Sequence, residues 1–192
     1  MTFLILGLLI FLGTHSVRLL APGWREAQVA KLGEARWKGV YSLASAVGLG
    51  LIVWGYGGAR ADAVVLWVPP LWTRHVAALL TLPVFVLLVA AYLPGSHIKA
   101  TIGHPMVAGV KLWALAHLLA NGNLADALLF GAFLAWAIAD FVSARRADRI
   151  AGRSYVAQGW SRDAAVGGIG IVAWAGFALW GHAWLIGVKP FG

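Results

Sequence analysis

The sequence predicts an all-α fold: a polytopic integral membrane bundle of about six transmembrane helices, running through residues 1–192 as one domain. Three observations predict it. Hydrophobic residues make up 61% of the chain and the mean hydropathy is +0.81. Only 11% of residues are charged, against roughly 25% in soluble domains. So small a polar inventory cannot cover a water-soluble globule of this size. Finally, the apolar residues fall into six runs, most of them near the ~20 residues needed to cross the hydrocarbon.

The first run, residues 3–20, has no basic n-region and no small-residue cleavage site before Arg18. It reads as a retained helix and not a signal peptide. A polar loop follows, with Arg18, Arg25, Lys31, Arg36 and Lys38. The second span covers about 39–56 and ends at Gly57-Gly58. The next connection holds Pro69-Pro70 and two tryptophans, Trp67 and Trp72, which suit interfacial anchors. The third span, about 75–93, is closed by Pro94-Gly95. A short loop with His97 and Lys99 leads to the fourth, about 106–120, with His104-Pro105 at its mouth. Proline suits the first turn of a helix, where its missing N–H has no partner to lose. This span is short for a membrane crossing, so bilayer thinning or cover by other protein is expected at its ends. Asn121-Gly122 ends it and leads tightly into the fifth span, about 124–142. A basic loop with Arg145, Arg146, Arg149, Arg153 and Arg162 precedes the sixth, about 164–186.

Helices associate in lipid through small residues that let backbones approach. The second span offers Ser42, Ala46 and Gly50 along one stripe. The sixth carries Gly167, Gly168, Gly170, Gly176 and Gly181.

The net charge of +8 is distributed unevenly. The first, third and fifth loops hold most of the lysines and arginines, and the opposite side holds Arg60, Arg74 and Lys189. The positive-inside rule therefore places both termini on the outer, periplasmic side of a bacterial inner membrane. Basic residues confined to short inter-helix loops match anionic lipid, and no nucleic-acid partner is expected.

Cysteine is absent, which excludes disulfides, iron–sulfur clusters and thiolate metal sites. The chemistry then turns on histidines inside the spans. His15 lies in the first, with Arg18 one turn further on. His117 lies in the fourth, sharing a face with Val110 and Trp113. An intramembrane imidazole needs a partner and marks a candidate site. Asn121, one turn beyond His117, can lean back over the ring, and a hydrogen bond to one ring nitrogen would fix the tautomer of the other. Two such histidines on different helices suit a metal or a haem. Zinc would want a further ligand from His97, His104 or a carboxylate. Haem needs one or two axial ligands, a dry cleft and cations for its propionates, which Arg18, Arg36 or Lys99 could supply. The residues alone leave a structural reading open too, in which both histidines hydrogen-bond across helices. Asp126 and Asp140 lie about four turns apart on one face of the fifth span. Asp126 suits the helix dipole of a first turn, and Asp140 suits an ion pair with a nearby arginine. Lys111 is expected to snorkel, and His75 and His182 to lie at the interface.

The motifs LGTHSVR (12–18), GEARWKGVYSLASAVGLGLIVWGYG (33–57), SHIKA (96–100), HPMVAGVKLWALAHLLANG (104–122) and LAWAIADFVSARR (134–146) together resemble the NnrU family, across essentially the whole chain. NnrU proteins are bacterial membrane proteins linked by name to nitrite and nitric-oxide reduction. The family is similar in turn to 15-cis-zeta-carotene isomerase, a membrane enzyme that holds haem b between histidines. The resemblance implies haem b with His15 and His117 as ligands of its iron, with Arg18, Trp113 and Asn121 around them, and His97 or His104 as alternative ligands. It implies an isomerase-like activity on a lipophilic polyene, or a redox role in nitrogen-oxide metabolism. It also implies an alternative: a non-enzymatic accessory protein that assembles or supplies a nitric-oxide reductase complex. One position departs. The isomerase has a cysteine three residues before its second histidine, where this chain has Ala114.

Overall fold

A computed structural model describes residues 1–191. The elements in order are α1 (Thr2–Leu20), α2 (Pro22–Leu32), α3 (Glu34–Ala61), α4 (Leu71–Tyr92), α5 (His97–Ile102), α6 (Pro105–Ala120), α7 (Leu124–Ile150), α8 (Trp160–Gly176), a π-helical turn (Phe177–Gly181) and α9 (His182–Ile186). Among the described residues there is no strand, only a single bridge between Val65 and Asn123. The fold is the expected all-α membrane bundle. Five helices are long and apolar enough to span: α1, α3, α4, α7 and the run Trp160–Ile186. The sixth apolar helix, α6, has 16 residues, short as expected. Large apolar side chains point outward all along these helices: Leu9, Val53, Leu79 and Val172 are each 66% exposed or more. An exterior of this kind is matched to acyl chains and not to water.

Several boundaries differ from the sequence expectation, among them the end of the second span, which runs through Gly57-Gly58 to Ala61. The polar first loop contains α2, begun by proline at its first position. The second span starts at Glu34, immediately after Gly33 at φ +80°, and not near residue 39. The fifth runs on to Ile150 and takes Arg145, Arg146 and Arg149 onto the helix; the positive-φ residue after it is Gly152. Arginine, lysine, alanine and glutamate are all good helix formers. Where apolar sequence ends, the membrane ends, but the helix need not.

The chain folds as two compact units. The first comprises Met1–Trp67 and Asn123–Trp136, and the second begins with Val68–Gly122 and resumes at Ala137. In the first unit α1 lies along α3 through glycine. The backbone at Gly48 and Gly55 meets Phe11 and Leu4, and Gly7 meets Ile52 and Gly48. The buried stripe of α3 is therefore Gly48, Ile52, Gly55 and Ala59. The expected stripe of Ser42, Ala46 and Gly50 is exposed. Both stripes carry small residues at helical spacing, so spacing alone cannot choose between them. The first turn of α7 is fixed here as well. Asp126, 1% exposed, accepts from the Asn123 backbone N–H at 3.1 Å and from the Tyr56 hydroxyl at 2.5 Å. A carboxylate at this position satisfies an otherwise orphan donor and suits the helix dipole.

In the second unit α4 packs against both α6 and α8. Of the glycines in the sixth span, Gly170 makes the close approach, to Val86 of α4, while Gly167, Gly168 and Gly176 face open space. Trp174 Nε1 donates to Thr81 Oγ1 at 3.1 Å. Lys111 is not simply extended toward water: its ammonium sits 3.7 Å above the centre of the Phe141 ring, a cation–π contact that lowers the cost of a cation among apolar neighbours.

Candidate functional site

His15, in the first unit, lies in the C-terminal third of α1, before Arg18 and Leu20. Its Nδ1 lies 2.7 Å from the Phe11 carbonyl oxygen one turn back. A carbonyl only accepts, so Nδ1 carries the proton and the lone pair of the neutral ring is on Nε2. The imidazole stacks on Phe11 at 4.2 Å and meets the edges of Tyr41 at 5.3 Å and Trp136 at 6.0 Å. Trp136 Nε1 is buried with no hydrogen-bond partner, and so is the Ser45 hydroxyl, one turn along α3 from Tyr41. A buried unpaired donor costs about 1–3 kcal/mol, and its presence beside an imidazole asks for an acceptor that protein atoms do not supply. Arg18 lies one turn beyond His15 and is exposed.

His117, in the second unit, repeats the arrangement. Its Nδ1 lies 2.8 Å from the Trp113 carbonyl oxygen, so its neutral ring also keeps the lone pair on Nε2. The Trp113 ring leans against the imidazole at 5.2 Å. Asn121 does not reach the ring, contrary to the sequence expectation. Its Nδ2 donates to the His117 backbone carbonyl at 2.8 Å, which also accepts from the Asn121 backbone N–H at 3.0 Å. The tautomer is set by Trp113 backbone instead. Ala114, one turn before His117, is 0% exposed.

His97 and His104 are held differently. His97 Nδ1 pairs with Asp163 at 2.6 Å, and His104 Nε2 with Asp148 at 2.7 Å. Tyr155 donates to the same Asp148 oxygen at 3.1 Å. Both pairs lie in the second unit and join the segment around α5 to the α7–α8 connection. Sequence reasoning missed this, although two histidines and two aspartates in short basic segments were the available signal. Among the described residues no group of three or more His, Cys, Asp or Glu could hold a metal ion. His182 Nδ1 lies 2.6 Å from the Val188 carbonyl oxygen.

Tyr155 lies outside the spans. Burial, and after it the hydrogen bond to Asp148, push its phenol above the ordinary value of about 10. A raised acid favours the protonated fold. The contribution is whole below pH ~10 and is lost as pH rises from there through the folded-state value. Thermal unfolding followed by tryptophan fluorescence should therefore show an alkaline loss of stability that is smaller in Tyr155→Phe. Identical alkaline slopes in the two proteins would remove Tyr155 from the account.

No curated protein and no solved structure matches the chain. A family model described as NnrU protein matches residues 3–190. That match takes in α1 through α9 with both candidate histidines, and the chain belongs to the NnrU family.

Proposed function

We propose that this chain is a haem b-binding protein of the bacterial inner membrane, with both termini periplasmic and with His15 and His117 as iron ligands. One observation carries the reading. Both imidazoles sit within apolar helices, and both commit Nδ1–H to the carbonyl of the preceding turn, which leaves Nε2 as the lone-pair nitrogen. That is the state in which imidazole binds iron, with its other nitrogen anchored. The residues fit haem better than a bare metal, since a haem iron asks the protein for only one or two ligands. The unpaired indole N–H of Trp136 beside His15 is a donor that the polar edge of a bound group would satisfy. Phe11 and Tyr41 pack against the His15 ring, and Arg18, one turn further on, would serve a propionate. When bound, haem would supply a redox-active iron suited to small nitrogen oxides. The buried Ala114 offers no thiolate, which favours redox or sensing chemistry, with a nitrogen-oxide reductase complex as partner, over isomerisation of a polyene.

Purified from cells supplied with haem, the protein is expected to show a Soret band. His15→Ala and His117→Ala should each shift or abolish it, and Trp136→Phe should weaken haem retention while leaving the haem-free protein as stable. The absence of a Soret band would sink the proposal and favour the non-enzymatic accessory role. Unchanged spectra in both histidine variants would reassign the ligands.

A further inference from the structure

In the second unit the chain between α4 and α6 meets the connection between α7 and α8. Lys99 Nζ lies 5.9 Å from the centre of the Tyr155 ring. Arg145 and Tyr155 both press on Gly103: a Cβ built there would meet Arg145 Nη1 at 2.8 Å and Tyr155 Cε2 at 3.2 Å. Arg153 follows two residues before Tyr155 and reaches Asp148 only at 3.9 Å, with its side chain 67% exposed. Three cations thus gather round one phenol. Six lysines and arginines lie between residues 94 and 163 outside α6, against two carboxylates there other than the helix-buried Asp126 and Asp140. Those two, Asp148 and Asp163, already hold histidines. Like charges held together repel unless they share an anion.

A second observation lies alongside. On the face of α5 that carries His97, Ile98, Thr101 and Ile102 is a hollow of about 500 Å³, closed by Trp160 and Asp163. Trp160, 76% exposed, stacks on His97 at 4.3 Å, at the start of a spanning helix, where tryptophan marks the lipid interface. A hollow lined by α5, the short helix that also carries Lys99, suits the acyl part of an anionic phospholipid whose phosphate the cations hold.

We propose that Lys99, Arg145 and Arg153, gathered around Tyr155, bind the phosphate of an anionic phospholipid, and that the hollow beside Trp160 takes the start of its acyl chain. Guanidinium groups suit phosphate oxygens through paired N–H donors, and lysine serves as a point charge. The site does not depend on haem binding.

The test uses the purified full chain in mild detergent, with dioleoyl-phosphatidylglycerol, dioleoyl-phosphatidylcholine and inorganic phosphate as probes, read by native mass spectrometry. At roughly fivefold per basic residue near a membrane surface, phosphatidylglycerol should bind at least about tenfold more tightly than phosphatidylcholine. Lys99→Gln, Arg145→Gln and Arg153→Gln together should reduce that preference about fivefold or more. Lys31→Gln, Arg36→Gln and Lys38→Gln, which remove the same charge from the first unit, should leave it within about twofold. Should the first triple variant not fold, Arg145→Gln and Arg153→Gln singly should each lower the preference about twofold or more. Equal losses in both triple variants, or no lipid preference in the parent, would overturn the proposal. So would displacement of the lipid by millimolar inorganic phosphate, which would make this a site for a soluble anion.

Discussion

Gly55→Val is expected to unfold the α1–α3 pair, at a cost of about 3 kcal/mol or more, the upper end of overpacking effects. The reason is backbone on backbone. A Cβ at Gly55 would overlap the Leu4 amide nitrogen and would lie 2.6 Å from the Phe3 carbonyl carbon and 2.8 Å from the Leu4 Cα. No rotamer relieves a contact with main chain, so α1 would have to move off α3. It would then also lose the contacts at Gly48, where Phe11 N is 2.7 Å from the same construction, and at Gly7, where Ile52 N is 2.6 Å away. Leu4, 0% exposed, and Ile52, 5% exposed, would open with it. In lipid little hydrophobic drive compensates, because dispersion between close-packed helices is most of what holds them. Gly50→Ala, on the same helix with nothing within 4 Å, should be neutral or stabilising by up to ~1 kcal/mol. The chain's tryptophans report thermal unfolding in detergent. An unchanged midpoint in Gly55→Val would refute the packing, and an equal drop in Gly50→Ala would show that the loss is not specific to the contact at Gly55.

The same helix shows how far a single sequence can be read. That residues 39–56 form a membrane helix follows from hydropathy, and the structure has that helix within α3. Which face it buries does not follow. Both the Ser42, Ala46, Gly50 stripe and the Gly48, Ile52, Gly55 stripe repeat small residues at helical spacing, and in a helix apolar all round no polar face breaks the tie. The start of α3 and the end of α7 were hidden for a related reason. Hydropathy reports where lipid stops, and Glu34 to Lys38 or Arg145 to Arg149 continue a helix perfectly well in water. The π-helical turn Phe177–Gly181 left no pattern at all.

For the candidate site, sequence singled out His15 and His117 from the cost of an imidazole in lipid. The bond that orients each ring was beyond it, since a backbone carbonyl one turn back carries no side-chain signature. Asn121 offered a plausible side-chain donor and was preferred for that reason, while Trp113 supplies the acceptor through its main chain. His97 and His104 were legible as histidines but not as partners of Asp163 and Asp148, 66 and 44 residues away. Pairings at that separation depend on which helix ends the bundle brings together.

Asp148→Ala is expected to cost about 1–3 kcal/mol, the range for leaving hydrogen-bond donors without their acceptor. Asp148 is 4% exposed. Its carboxylate accepts from His104 Nε2 at 2.7 Å and from the Tyr155 hydroxyl at 3.1 Å, with Arg153 at 3.9 Å. Alanine would leave an imidazole and a phenol without their acceptor, and three cations without the one carboxylate among them. Asp148→Asn keeps the volume and one acceptor oxygen but turns an N–H₂ group toward a donor, so about half that loss is expected. A double-mutant cycle separates the pair from its surroundings. His104→Ala should cost about 2 kcal/mol in the parent and much less in Asp148→Ala, a coupling of at least ~1 kcal/mol. Coupling near zero would mean that the two groups are neighbours without being partners. The damage should also be local, because His104 is the residue before α6 and Asp148 lies in the last turn of α7. Amide hydrogen exchange should quicken across α5 and the first turn of α6 while the glycine-packed α1–α3 pair keeps its protection. Protection lost equally in both places would mean that the His104–Asp148 pair holds the whole fold and not one end of its second unit.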